Sequence, residues 1–490
     1  MKKRIIAFIL SALLLLPLAS CGEENSGSEE SKSSETSTEE STASDNNSKT
    51  SEDTSSVVSE DASEETSSSD ELKGSEDYQF LSKYDKLLEK RGVLEQGANS
   101  DYIPLNYEKM KAMWISQFDF QQVYCSNGKQ ISQSSFKRMV STALDKIKAL
   151  GFNTVIVQVR PNGDSFYPSE YYPWSHFING SYGEYAKYDP LKIFIDLAHE
   201  RDLSFQAWFN PMRAMSVEDA KKLNPKYPIA RWTKSKACER YLFVGEYGGK
   251  PSYYLNVYYE EVRQLIIDGV AEIVRYYDVD GVHMDDYFYP GNDKAMDDEE
   301  LKLEKSKNAT MTLKKLRNES LNKLVSGIYS AVKAENPRVI YGIAPAGNIN
   351  NVRNSHYADV DTWCGNKGYI DYIMPQIYWG FEHSICPFAE TYQLWANLCC
   401  EDVDYMVGLT FANAIYGYNG EIYQEFIDNK DVYKKTYEYM NSQDSFDGFS
   451  IFCYQYFYNP VTGQQRIETK EELANSLSAL KKIPSKKIEY

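Results

Sequence analysis

Residues 135–160 read SFKRMVSTALDKIKALGFNTVIVQVR, and two periodicities meet inside them. Phe136, Met139, Val140, Ala143, Leu144, Ile147 and Leu150 return at three- and four-residue steps, the apolar stripe of an amphipathic helix. Gly151 follows as a stop, because glycine reaches the left-handed conformation that ends helices. The run TVIVQV at 154–159 is short, β-branched and almost wholly apolar, so it predicts a strand covered on both faces. A helix running straight into such a strand is the repeating piece of an α/β fold.

Outward from this segment the piece recurs. Strand candidates lie at 111–117, 154–159, 203–209, 280–285, 339–344, 371–377, 405–410 and 448–454. Between them, Asp189-Pro190 opens a helix with an N-cap and a proline at the first helical position. Helical stripes also run through 257–277 and 314–334, the second ending at Asn336-Pro337. Eight such repeats predict an α/β fold, a closed (β/α)8 TIM barrel over 108–490, with enlarged loops at 160–188, 210–256 and 286–312 after strands 2, 3 and 4. An open doubly wound sheet is the alternative; it calls for a glycine-rich turn after the first strand, where this chain reads SQFDFQQ. Residues 78–107 are expected to pack on the exterior of the barrel, and 468–483 to form its closing helix.

The chain before residue 78 is of a different kind. Residues 22–77 hold 18 acids against three lysines, and 24 of the 56 are Ser or Thr. Such a segment buries too little apolar surface to offset chain entropy, so it is expected to be a disordered tether. It accounts for −15 of the formal −18, leaving the barrel region only mildly acidic. A nucleic-acid partner is therefore not expected, since phosphate binding needs a basic surface. Residues 1–21, MKKRIIAFILSALLLLPLASC, have the basic start and apolar centre of a secretory signal. The ending Leu18-Ala19-Ser20-Cys21 resembles the lipobox of bacterial lipoproteins. That resemblance implies a lipid on Cys21 and a cell-membrane location facing the extracytoplasmic side. The seven remaining cysteines form no CxxC pair, and neither a metal nor a cofactor is expected.

Alternation along each strand selects the side chains that face the barrel axis. Trp114 on strand 1, Gln158 and Arg160 on strand 2, Trp208 and Asn210 on strand 3, His283 and Asp285 on strand 4, and Gln376 and Tyr378 on strand 6 form the expected set. Arg213, Asp286, Tyr287 and Trp379 join them from adjoining loops. Repeated polar residues in a barrel interior need partners or a ligand. The acidic pair in Asp280-Gly-Val-His-Met-Asp-Asp-Tyr-Phe-Tyr-Pro290 ends strand 4, where barrel enzymes place catalytic groups. With 40 Tyr and 7 Trp there are aromatic faces enough to pack against pyranose rings.

Several segments, in order on successive strands, resemble the glycosyl hydrolase-like 10 family. They are Trp114-Ile115-Ser116, Gln158–Tyr167, Pro173-Trp174-Ser175, Tyr188–Leu191, Ala207–Arg213, Asp280–Pro290 and Asp371–Trp379. The likeness spans roughly 108–460. The family's strand-5 motif reads GISPFG; here it is Gly342-Ile343-Ala344-Pro345-Ala346-Gly347. The resemblance implies a TIM-barrel glycosidase of the bacterial envelope, acting on peptidoglycan glycan strands stripped of stem peptides.

The expected chemistry is glycosidic cleavage by two carboxylates. Asp285 is the nucleophile or base, and the acid is Glu382 or Asp164, with Asp119 a third candidate. The other named residues would bind the polysaccharide. Strand 5 carries no Glu at its end, which keeps open a non-catalytic glycan-binding lipoprotein, or a hydrolase of another polysaccharide.

Overall fold

The computed structural model describes residues 96–285, 288–291, 293–416 and 424–490. Eight parallel strands close into a barrel: β1 (Met110–Ile115), β2 (Thr154–Arg160), β3 (Ser204–Phe209), β4 (Gly281–Met284), β5 (Ile340–Ile343), β6 (Tyr372–Ile373), β7 (Asp404–Thr410) and β8 (Gly448–Phe452). Each pairs with its neighbours in chain order, and β8 closes on β1 with Met110 opposite Gly448. All eight fall where the sequence places them. A helix follows each strand: α1 (Gln133–Leu150), α2 (Pro190–His199), α3 (Glu260–Tyr276), α4 (Leu313–Glu335), α5 (Val360–Gly365), α6 (Phe388–Ala396), α7 (Val432–Asn441) and α8 (Lys470–Lys482). The leader 1–21 with Cys21, the tether 22–77 and residues 78–95 lie outside the described residues.

Local chemistry explains the elements. Ser132 caps α1 by accepting from the Ser135 amide, and Gly151 ends it at φ 99°. The seven apolar residues of the expected stripe are the ones α1 buries against the sheet. Asp189 accepts from the Lys192 amide to cap α2, with Pro190 in the first turn.

The N-terminal end of the barrel is closed by a repeated device. The residue just before each even strand accepts a hydrogen bond from an amide of the preceding odd strand. Asn153 holds Lys111 (2.8 Å), Asp280 holds Phe205 (2.6 Å), Asp371 holds Tyr341 (2.6 Å) and Asp447 holds Tyr405 (2.9 Å). These bonds satisfy strand-end donors and set the stagger of neighbouring strands. Asp280 also accepts from the Tyr102 hydroxyl (2.6 Å) and the Leu105 amide (2.5 Å), which docks residues 96–107 at this end of the barrel.

Two glycines give room inside. A Cβ on Gly281 would lie 1.8 Å from Gln206 Oε1, and one on Gly342 would lie 2.1 Å from the Tyr372 ring. One expectation about faces fails. Strict alternation puts Gln158 and Arg160 on the same side, but β2 bulges between them, so that Gln158 pairs with Trp208 and Arg160 with Phe209. The extra residue turns Arg160 away from the axis and toward α3. Its guanidinium lies 4.5 Å from the centroid of Tyr172 and 5.0 Å from that of Phe209. A Cβ on Gly269 of α3 would be 3.3 Å from it.

The loops after β2, β3 and β4 are the enlarged ones. The loop after β3 carries its own antiparallel sheet of Arg213–Ser216, Lys250–Leu255 and Leu242–Tyr247. Among the described residues, no helix is long and apolar enough to cross a membrane.

Candidate active site

Asp285 is the first residue beyond β4, at the C-terminal mouth of the barrel, and is 3% exposed. Its Oδ2 accepts from Asn210 Nδ2 (2.7 Å) and from Trp208 Nε1 (3.0 Å), both on or just past β3. Asn210 is itself oriented: its Oδ1 accepts from Gln158 Nε2 at 2.6 Å, and Gln158 Oε1 accepts from the Gln117 amide at 3.0 Å. A carbonyl oxygen engaged on one side forces the amide's N–H group to the other, so this chain aims Asn210 at the carboxylate. Two N–H donors on one carboxylate oxygen fix the orientation of the group.

His283 sits one inward step below and is fully buried. Trp114 Nε1 donates to its Nε2 at 3.3 Å, and its Nδ1 lies 2.8 Å from the Tyr372 hydroxyl. Because the indole can only donate, Nε2 is the acceptor and Nδ1 carries the proton. Burial drives the imidazole pKa down to about 3, so it is neutral. With both nitrogens engaged and no exposed surface, His283 and Trp114 form the floor beneath Asp285. Both are sealed from solvent in this floor. The floor's third member, Tyr372, went unnoticed in the sequence; its place in the Asp371–Trp379 segment was the available signal.

The remaining expected residues divide. Gln376 spans β6 and β5, donating to the Ala344 carbonyl (2.9 Å). Tyr378 stacks on Phe452 of β8 at 6.5 Å between centroids, and Trp379 packs beside His383 at 5.2 Å. Arg213 donates to the Pro161 carbonyl (3.2 Å) with its guanidinium 4.2 Å from the Tyr247 ring, in the loop layer above β2 and β3. Arg160 lies in the outer layer, away from this group. Asp286 and Tyr287 lie outside the described residues.

The candidate acids differ sharply in setting. Asp119 is walled in: its Oδ2 takes the Ser116 amide (2.7 Å) and hydroxyl (2.9 Å), and its Oδ1 takes the Gln455 amide (2.9 Å). It clasps the end of β1 to the end of β8, and burial raises its pKa. Asp164 is fully buried, accepts from the Asn162 amide at 2.8 Å, and is likewise pushed up by burial. Glu382 is exposed on the turn after β6. That turn is held by Glu425, which the sequence reading missed: its Oε2 accepts the Glu382 amide at 3.0 Å. A Cβ on Gly380 would lie 1.9 Å from the same oxygen, so the turn wraps closely round this carboxylate. Burial raises the Glu425 pKa as well. Among the described residues, no three His, Cys, Asp or Glu side chains converge on a point where a metal could sit.

A carboxylate pinned at the mouth of a parallel barrel, above a neutral aromatic floor, is the arrangement that the segments singled out in the sequence share. The model of the glycosyl hydrolase-like 10 family matches residues 109–416. The chain belongs to that family. Its glycosyl hydrolase-like 10 portion runs from the first barrel strand to the loop beyond β7, so it includes Asp285, Asn210, His283 and Glu382. Among its relatives, glycosyl hydrolase YngK of Bacillus subtilis (strain 168) is 34% identical over 307 residues, 59% of this chain. The chain spans 58% of that relative's length. Glycosyl hydrolase DigH of Escherichia coli (strain K12) is 27% identical over 381 residues, 73% of this chain and 85% of its own. Among solved structures, the PgaB (BpsB) glycoside hydrolase domain of Bordetella bronchiseptica superposes with a TM-score of 0.49 at 10% identity, covering 77% of this chain and 99% of that one. Membership of the glycosyl hydrolase-like 10 family bears out the enzyme class expected from the sequence.

Proposed function

We propose that this protein is a lipid-anchored glycoside hydrolase that cuts glycan strands of the bacterial cell wall stripped of their peptides. The observation that carries the reading is the Asp285 carboxylate, held by Trp208 and Asn210 at the end of β4. Its two N–H donors fix the carboxylate at the barrel mouth, and a positioned carboxylate suits a nucleophile or base.

The partner acid in this reading is Glu382. It is the exposed member of the three acids considered, and its turn is fixed by Glu425. Asp119 and Asp164 act within the framework: each is sealed from solvent and bonded to backbone amides. Gln376, Tyr378 and Trp379 would line the sugar path on the β6 side, and Asp286 and Tyr287 follow Asp285 directly in sequence. The polysaccharide substrate agrees with the family and with the names of the relatives. The membrane anchor rests on the lipobox-like Leu18–Cys21, and the acidic Ser/Thr-rich segment 22–77 would hold the barrel away from the lipid surface.

The test is to incubate the protein with denuded glycan strands and measure new reducing ends. Release is expected from the wild type. Asp285→Asn should abolish it while leaving saccharide binding intact. Full activity in that variant would remove Asp285 from the mechanism. Membrane partition that survives Cys21→Ala would remove the anchor.

A further inference from the structure

Beside the Asp285 site, at the same end of the barrel, lies a second cleft of about 640 Å3. Its walls come from the segments after β1, β2 and β3: Gln117 and Phe118, Asn162 and Phe177, Met215 and Lys250. The volume is that of a small-molecule site. Its chemistry is mixed in a specific way. Gln117 Oε1 and Asn162 Oδ1 are acceptors in side chains only 2% and 5% exposed, and neither has a hydrogen-bond partner among the described residues. A buried acceptor needs an N–H or O–H, and these two line the cleft wall. Phe118 is 51% exposed, although it meets Phe177 edge-on at 6.3 Å. It leaves an aromatic face at the rim. Phe177 and Met215 add an apolar wall, and Lys250 brings an ammonium group to the lining.

The cleft is also wired to the carboxylate. Gln117, whose side chain lines it, gives its amide to Gln158, which holds Asn210, which holds Asp285. We infer that this cleft is a distal subsite that binds an N-acetylhexosamine of the same glycan chain whose cleavage is proposed at Asp285. The inference rests on that reading. The amide oxygens accept from the acetamido N–H and a ring hydroxyl, and the acetyl methyl lies on Phe177 and Met215. The pyranose C–H face stacks on Phe118, and Lys250 donates to a substituent oxygen. The protein therefore grips its chain beside the cut as well as at it, as an enzyme that cleaves within chains would.

The experiment uses the full chain carrying Asp285→Asn, so that ligands are bound and not cut. Calorimetry compares the dimer and hexamer of N-acetylglucosamine, with the hexamer of glucose as the probe lacking acetamido groups. The N-acetylglucosamine hexamer should bind more tightly than the dimer. Phe118→Ala and Asn162→Ala should each weaken hexamer binding roughly tenfold and leave the dimer unchanged. The glucose hexamer should bind weakly and not respond to Asn162→Ala. Phe118 is exposed, so its variant remains informative if Asn162→Ala unfolds the loop. Hexamer binding untouched by Phe118→Ala, or dimer and hexamer weakened alike, overturns the subsite. If wild type cuts denuded strands while either of those results is found, the subsite alone falls. If neither oligomer binds and wild type cuts nothing, the glycosidase reading falls with it.

Discussion

Asn210 donates to the Asp285 carboxylate at 2.7 Å while its own Oδ1 is held by Gln158 at 2.6 Å. The carboxylate is thus positioned by a side chain that is itself positioned. A hydrogen bond to a charged group is worth about 1.5–3 kcal/mol, a tenfold to hundredfold rate effect if it is needed in the transition state. Asn210→Ala should lower kcat on glycan strands about 100-fold with little change in KM. Gln158→Ala, one bond further back, should lower it about tenfold. Equal losses from the two, or a loss confined to KM, would contradict the relay.

Glu382 makes a separate prediction. An acid that protonates the leaving oxygen matters least when the leaving group is already good. Glu382→Gln should lose about 100-fold on natural strands, and much less on an aryl glycoside with an acidic phenol. A uniform loss on both substrates would take Glu382 out of the acid role.

The room beneath the site is set by Gly342. A Cβ there would stand 2.1 Å from the Tyr372 ring, and Tyr372 is the partner of His283 Nδ1. Gly342→Ala should destabilise the protein by about 1–3 kcal/mol, the usual cost of overpacking. It should also lower activity at temperatures where the fold is intact. Calorimetric melting with a parallel activity assay reads both effects.

His283 links the floor to pH. Burial holds its pKa near 3 in the folded protein, against an ordinary 6.5. Below 6.5 the unfolded chain takes up a proton that the folded chain refuses. The stability is therefore complete above pH 6.5 and is lost as pH falls toward 3. At pH 4.5 the loss is about 2–3 kcal/mol from this one group. Denaturant unfolding of wild type and His283→Gln should show a smaller pH 7-to-4.5 drop in the variant.

Glu472 runs in the opposite direction. It accepts the Tyr433 amide at 3.0 Å and joins α8 to α7. Burial lifts its pKa to about 7 from 4.5. Between these values the folded protein binds the extra proton, so stability falls as pH rises from 4.5 through 7. Glu472→Gln keeps the acceptor without the charge. It should match wild type near pH 4.5 and exceed it by about 2 kcal/mol at pH 8. No gain at pH 8 would mean the carboxylate is solvated after all.

All eight strands were legible because β-branched runs and amphipathic stripes are local signals, each readable within a dozen residues. The Asn or Asp before β2, β4, β6 and β8 was visible too, yet its role was not. Lys111 and Asn153, or Tyr341 and Asp371, are joined only once the barrel closes. Arg160 shows the limit most clearly. Period-two alternation puts it beside Gln158, and one bulged residue sends it to the outer layer.

The chain's order of apolar runs and stops determined the barrel, the enlarged loops and the strand end that carries Asp285, since backbone geometry and burial act along the sequence. Only the tertiary structure decided which neighbours reach that carboxylate, which of the acids are sealed, and that His283 is a neutral floor. Those properties depend on distances between segments far apart in the chain, on the desolvation each group meets there, and on which lone pairs its neighbours have already taken.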